Sequence, residues 1–195
     1  MKIKNFKDSY SGEPKKQDKK KRIKADKKWL LIVTVLSFVI SLCMSLVSEL
    51  IIPNAVIAIS VFLVLMFIFI GVIFDIIGLS VATADEKIFH SMATKKVKGA
   101  KEAIKLINNK DKFSSFFNDV IGDVCGIVSG TSGVVIVSLI IKLTDVNELL
   151  VSLIVTGLIS SLTIGGKAFG KSIAINNCNE ILFEFSKFLS IFSKK

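Results

Sequence analysis

The chain has 195 residues, 51% of them apolar, with two prolines and a formal net charge of +10. That length holds one helical membrane domain and leaves no room for a second globular domain of ordinary size. A basic balance alone would suggest nucleic acid. Here the cations are segregated between apolar runs, which assigns them to anionic lipid headgroups, at about 1 kcal/mol each near a membrane surface, and argues against nucleic acid as the partner, with a membrane-hugging tail favoured over a nucleic-acid role for Lys15–Lys28.

Residues 1–28 hold twelve of the 26 Lys and Arg residues, together with Gly12 and Pro14. Such a segment cannot bury enough apolar surface to offset its ordering entropy, and it reads as a disordered basic tail in the cytoplasm. A secretory signal competes for residues 1–50. The basic stretch is too long for one, no small-residue cleavage site follows the apolar run, and Leu42 before Cys43 spoils a lipoprotein-type site.

Four apolar runs follow, at Trp29–Val47, Asn54–Leu79, Phe113–Ile141 and Asn147–Thr163. Each approaches or exceeds the roughly 20 residues that a helix needs to cross about 30 Å of hydrocarbon. Trp29 is an interfacial anchor, and Pro53 marks a tight outer turn. The linker 48–53 has no Lys or Arg and 142–146 has only Lys142, whereas 86–112 holds eight and 167–195 five. Lysines in every second linker are the positive-inside pattern for four spans with both termini cytoplasmic. The sequence thus predicts an all-α polytopic protein of the cell membrane, with residues 29–195 as its transmembrane domain.

Between the second and third runs, Phe89, Met92, Ala93, Val97, Ala100, Ile104 and Ile107 recur at steps of three and four. Lys95, Lys98, Lys101, Glu102 and Lys105 take the opposite face. This predicts one basic amphipathic helix over 86–108, lying at the cytoplasmic interface and ended by Asn108, Asn109 and Asp111. The third run carries Gly122, Gly126 and Gly130, two overlapping small-xxx-small repeats that form a helix-packing seam, silent on whether the partner is in the same chain. Thr144-Asp145-Val146-Asn147 supplies turn and N-cap residues before the fourth run, which ends near Gly165-Gly166. A last helix over 178–193 places Ile181, Leu182, Phe185, Phe188, Leu189 and Phe192 on one face and Glu180, Glu184 and Lys187 opposite. Too short and too charged for a fifth span, it reads as a second interfacial helix.

Acidic groups at membrane depth are costly and face a partner or a water-filled cavity. Asp75 falls late in the second run, Asp85 and Glu86 at its inner end, and Asp119 and Asp123 four apart on the third, where like charges repel unless a cation or proton intervenes. Magnesium takes hard oxygen ligands and keeps several waters, so Ser80, Thr83, Asp85 and Asp123 are a feasible donor set. The competing reading puts these carboxylates at the headgroup boundary, paired with nearby lysines. His90, the single histidine, reads as a surface residue. Cys43, Cys125 and Cys178 are too scattered for a disulfide framework. Without a nucleophile–base arrangement, a phosphate-cradling loop or a Cys/His cluster, the chain does not read as an enzyme.

The stretch Thr83-Ala84-Asp85-Glu86-Lys87-Ile88-Phe89-His90-Ser91-Met92, followed by Lys95-Lys96-Val97 and Ala103, resembles the membrane domain of the CorB/CNNM magnesium transporters. There a Ser-x-Ser-Glu-Thr-Ala-type motif ends the first family helix and a basic helix follows. Ile121-Gly122-Asp123-Val124 stands where the family has Val-Gly-Asn-Thr, and Gly166-Lys167-Ala168-Phe169-Gly170-Lys171-Ser172-Ile173-Ala174 resembles its Gly-Glu-x-x-Pro-Lys-x-x-Ala motif. The likeness covers residues 67–190. It implies a metal site at Thr83, Asp85, Glu86 and Asp123, holding Mg²⁺, and a homodimer. The departures are specific. Asp123 replaces an asparagine, the second asparagine position falls at Ile127, Lys167 replaces a glutamate, Gly170 replaces the proline, and the CBS domains are missing.

Two functions follow. One is a divalent-cation transporter-related membrane protein, with Mg²⁺ its ion. The other is a degenerate, non-transporting family member, acting as a membrane interaction, regulatory or immunity-type protein toward an unknown protein partner. Lys167 decides between them. Pointing inward, it would pair with Asp85 or Asp123 as a charge substitute for the cation; snorkelling to the interface, it would leave the aspartates to a hydrated ion.

Overall fold

A computed structural model describes residues 27–51, 57–144 and 146–192. The tail expected over 1–28, except Lys27 and Lys28, and the turn expected at Pro53 lie outside these residues. Backbone contacts divide the chain into residues 1–34 and 35–195. Of the first unit only the opening of a helix is described, and the packing below is that of the second.

Every element among the described residues is helical, in the order α1 (Lys27–Ile51), α2 (Ile57–Thr83), α3 (Glu86–Thr94), α4 (Ala100–Asn108), α5 (Lys110–Ser115), a π-helical segment (Phe116–Gly122), α6 (Asp123–Leu143), α7 (Glu148–Asn176) and α8 (Cys178–Phe192). Four stretches are long and apolar enough to cross a membrane: Lys28–Ile51, Ile57–Thr83, Lys110–Leu143 and Glu148–Asn176. At about 1.5 Å rise per residue, even the 21-residue α6 spans roughly 30 Å.

The local chemistry of the helix ends matches the residues there. Ser80 Oγ and Thr83 Oγ1 donate to the Ile76 and Leu79 carbonyls at 2.8 and 2.9 Å, closing the last turns of α2. Asp85 caps α3 by accepting from the Lys87 amide at 3.0 Å. Asn147 caps α7 in the same way, through the Leu149 amide at 3.0 Å, as the turn residues of that linker predict.

Three expectations need correction. The single helix over 86–108 is two helices, broken where Lys96 (φ 57°) and Gly99 (φ 88°) leave the helical region. A Cβ at Gly99 would stand 2.9 Å from the Lys187 amide nitrogen and 3.0 Å from its Cα, so the chain turns here to lay backbone on α8. Periodicity misses the break because α3 and α4 bury residues of the same pattern. The fourth apolar helix does not stop at Gly165-Gly166 but runs on to Asn176. Gly166 and Gly170 are contact residues: a Cβ on either would meet Val72 Cγ2 at 2.9 Å or Ile76 Cγ1 at 2.8 Å on α2. The third run begins at Lys110 and carries the π segment before α6.

α2 is the central helix. It packs on α7, α6, the π segment, α5 and α8. One core joins Val64 and Ile68 of α2 to Ile136 of α6 and Ile159 of α7. A second joins Phe67 to Val124 and Val128, with Ile40 and Met44 of α1 against it. A third lies at the far end of α2, where Val81, Phe89, Ala103, Leu106, Ile107 and Leu182 close the apolar faces of α3, α4 and α8 on one another. Phe117 of the π segment stacks edge-on against Phe185 of α8 at 5.4 Å and beside Phe74 of α2 at 5.8 Å, tying the third core to the long apolar helices. Most side chains of α1 and α7, by contrast, are not buried: Ser48 on α1 and Ile159, Gly170 and Ala174 on α7 are the buried positions among the described residues.

The glycine contacts generate a test. Gly71→Ala would put a Cβ 3.0 Å from Cys125 Cβ and 3.2 Å from the Gly122 carbonyl oxygen, so both neighbours must give by a few tenths of an ångström. It should destabilise the detergent-solubilised chain by about 1–3 kcal/mol, as overpacking does. Gly165→Ala, with nothing within 4 Å, should be neutral or stabilise by up to about 1 kcal/mol through helix propensity. Thermal unfolding of the two variants checks the contrast.

Candidate functional site

α2, the π segment and α7 converge on a group of charges. Asp75 lies on α2, eight residues or about 12 Å before its end at Thr83. Only 8% of it is exposed, although the residues around it are apolar. Asp119 lies in the π segment, Asp123 opens α6, and Lys167 and Lys171 lie one turn apart on α7. Their convergence follows from packing. Gly71 and Gly122 bring α2 against the start of α6, and Gly166 and Gly170 bring α7 against α2.

Lys167 Nζ donates to Asp123 Oδ1 at 2.7 Å. The two partners differ in environment: the lysine side chain is 21% exposed and the aspartate 62%. The charged groups that act on Asp75 are Lys167 first and Lys171 second, with Asp123 and Asp119 as like charges. Among the described residues Asp75 has no hydrogen bond or ion pair of its own. Lys167 therefore touches Asp123 directly and acts on buried Asp75 through its charge, without a contact.

The residues of the sequence-derived metal set are each engaged separately. Thr83 bonds its own helix and Asp85 caps α3. The Asp85 amide also donates to Asn179 Oδ1 at 2.9 Å, joining the start of α3 to α8. Glu86 pairs with His90 at 3.0 Å, one helical turn away, and Asp123 pairs with Lys167. Among the described residues no three His, Cys, Asp or Glu side chains are grouped to hold a metal ion. Ile127 faces outward. The glycine seam is used unevenly: Gly122 packs on Gly71 of α2, Gly126 on Thr163 of α7, and Gly130 on nothing within 4 Å.

Sequence reasoning left the orientation of Asp75 and Asp119 open. Asp75 is buried and Asp119 exposed. It overlooked Asn118, whose Oδ1 is buried against Gly78 and has no hydrogen-bond partner among the described residues. A Cβ at Gly78 would collide with that side chain, so Gly78 is the seat of Asn118. The seven-residue spacing of Gly71 and Gly78 on an otherwise bulky helix was the available signal. It also overlooked Asn179, which only tertiary contact reveals.

Comparison of the chain with protein-family models, with curated proteins and with solved structures gave no match.

The geometry separates two roles for Lys167. Lys167→Met keeps the stem but strips the charge, leaving buried Asp75 balanced by Lys171 alone. It should cost about 1–3 kcal/mol, the penalty for stranding a buried polar or charged group. Asp123→Asn should cost less than about 1 kcal/mol, as expected for a largely exposed pair. Asp75→Asn in the Lys167→Met background should recover part of the loss. Equal losses in the two single variants, with no recovery, would mean that Lys167 serves Asp123 only; denaturant unfolding in detergent reads all three.

Proposed function

We propose that the chain is a multi-pass integral membrane protein with four spans and both termini cytoplasmic, acting there as a non-transporting interaction or regulatory protein built on a transporter-like plan. The observation that carries the functional reading is the 2.7 Å contact of Lys167 with Asp123. An ammonium group of the chain itself stands where the resemblance to CorB/CNNM domains puts a metal cation. The separate engagement of Thr83, Asp85 and Glu86 supports the same reading.

The membrane reading rests on the long apolar helices. Large hydrophobic side chains are exposed along α1, α2 and α7, a surface that water does not tolerate over this area. The lysines of α3 and α4 then lie at the cytoplasmic headgroups. The homodimer implied by the resemblance would use apolar surface such as that around Gly130, where an added Cβ would meet nothing within 4 Å among the described residues.

Transport of a divalent cation is the second reading, and buried Asp75 favours it. Intramembrane carboxylates mark ion pathways by default, and a rotation of Lys167 toward the interface would leave Asp75 and Asp123 to a hydrated ion.

Melting temperature against Mg²⁺ at constant ionic strength separates the two. The wild-type chain should give a flat response, while Lys167→Met should show a saturable rise as a divalent ion takes the vacated position. A saturable rise in the wild type that Asp123→Ala removes would overturn the proposal in favour of transport. Ligand at 100 times its dissociation constant contributes about 2.7 kcal/mol, enough to resolve.

A further inference from the structure

The α3–α4 turn and the last turns of α8 enclose a cleft of about 560 Å³. Lys96, Lys98 and Lys101 line it, with Glu102, Ser190 and Ile191. None of the three lysine side chains has an ion-pair partner among the described residues. Three lysines against one glutamate give the lining residues a net charge of +2, on a wall that is itself mainly apolar.

The cleft is held in shape by the core beneath it. Gly99 at its edge rests on the α8 backbone at Lys187 and Ser186, at distances that admit no Cβ. Phe89, Ala103 and Leu182 lock α3, α4 and α8 together below. α4 opens at the same point with Gly99 as its N-cap, which supplies no side-chain hydrogen bond to the first-turn amides. The Ala100 amide bonds the Val97 carbonyl and the Ala103 amide the Gly99 carbonyl, so the Lys101 and Glu102 amides carry the positive end of the helix dipole beside the lysines.

We propose that this cleft binds a phosphate-bearing anion, the group that a phospholipid headgroup and a soluble phosphate ester share. A phosphate monoester carries about −1.5 to −2 charges near neutral pH and three strong acceptor oxygens, which matches the lining charge. The volume lies within the roughly 300–1,000 Å³ of ordinary ligand sites, so it takes the phosphate together with the glycerol or sugar that bears it. Exposed Phe188 and Ile191 on α8 lie on the same helix as the rim and offer apolar surface to acyl chains. This site is separate from the Asp75–Lys167 group and does not depend on whether ions are transported.

The test uses the full chain in neutral detergent, titrated by calorimetry with dioctanoyl phosphatidic acid, dioctanoyl phosphatidylcholine and glycerol 3-phosphate. Two triple variants of equal charge are compared: Lys96, Lys98 and Lys101 to Gln, which empties the cleft of cations, and Lys95, Lys105 and Lys110 to Gln, which leaves it intact. All six residues are exposed, so both variants should keep the wild-type melting temperature without ligand. The expected result is saturable binding of phosphatidic acid to wild type and to the second variant, weakened by about tenfold or more in the first, with no binding of phosphatidylcholine. Glycerol 3-phosphate binding as tightly as the lipid identifies a soluble phosphate ester as the ligand; binding of the lipid alone identifies a headgroup. Absence of saturable binding by both phosphates, or equal weakening in the two variants, overturns the proposal.

Discussion

The distance of closest approach between α2 and its neighbours governs the rest of the structure. Gly71, Gly166 and Gly170 let bare backbone or bare Cα meet Cys125, Val72 and Ile76. On the proposed membrane reading, the helices gain nothing from hiding apolar side chains from lipid tails, so contact rests on packing and polar interactions. Small residues supply the packing. They also bring Asp75 within reach of Lys167 and Lys171, which bulkier contacts would hold away. The same residues that make the bundle tight make the buried carboxylate tolerable.

A fixed ammonium and a bound metal solve the same electrostatic problem at different cost. Both offset the mutual repulsion of Asp75, Asp119 and Asp123. The lysine is tethered, so it needs no ion from solution and gives up no translational freedom on arrival. A tethered charge cannot be carried across, however. Glu86 spent on His90, and Asp85 spent on the α3 cap and the link to Asn179, remove the two other carboxylates that would be needed to displace it. The chain thus supplies its own charge compensation at this group.

The apolar runs, the Asn147 cap and the last helix were legible in the sequence, because length, hydropathy and cap chemistry are local. The break at Lys96–Gly99 was not. It is set by the α8 backbone lying under Gly99, a contact between residues almost ninety positions apart. Gly165-Gly166 misled for the opposite reason: glycine ends helices in water, where a free backbone is solvated, but between packed helices it is a contact surface. For the charged group, the resemblance to the CorB/CNNM motifs singled out Lys167 as a possible partner of Asp85 or Asp123, and the contact in the structure is with Asp123.

The four-residue spacing of Asp119 and Asp123 shows where periodic reasoning fails most sharply. In an α-helix the two would share a face and repel. The chain is π-helical from Phe116 to Gly122, and the Asp123 amide bonds the Asn118 carbonyl five residues back. One extra residue per turn re-aims everything after it, and π segments recur at functional sites because they place side chains that a regular helix cannot. Here the segment seats Asn118 on Gly78, directs Phe117 to α8 and delivers Asp123 to Lys167. The buried, unpartnered Asn118 oxygen is a cost of about 1–3 kcal/mol. A regular helix would avoid that cost but would carry Asp123 away from Lys167, leaving the buried Asp75 as the lysine's remaining acidic neighbour on α2. The π turn and the lysine therefore form one device, in which local irregularity is accepted to hold an internal cation between carboxylates.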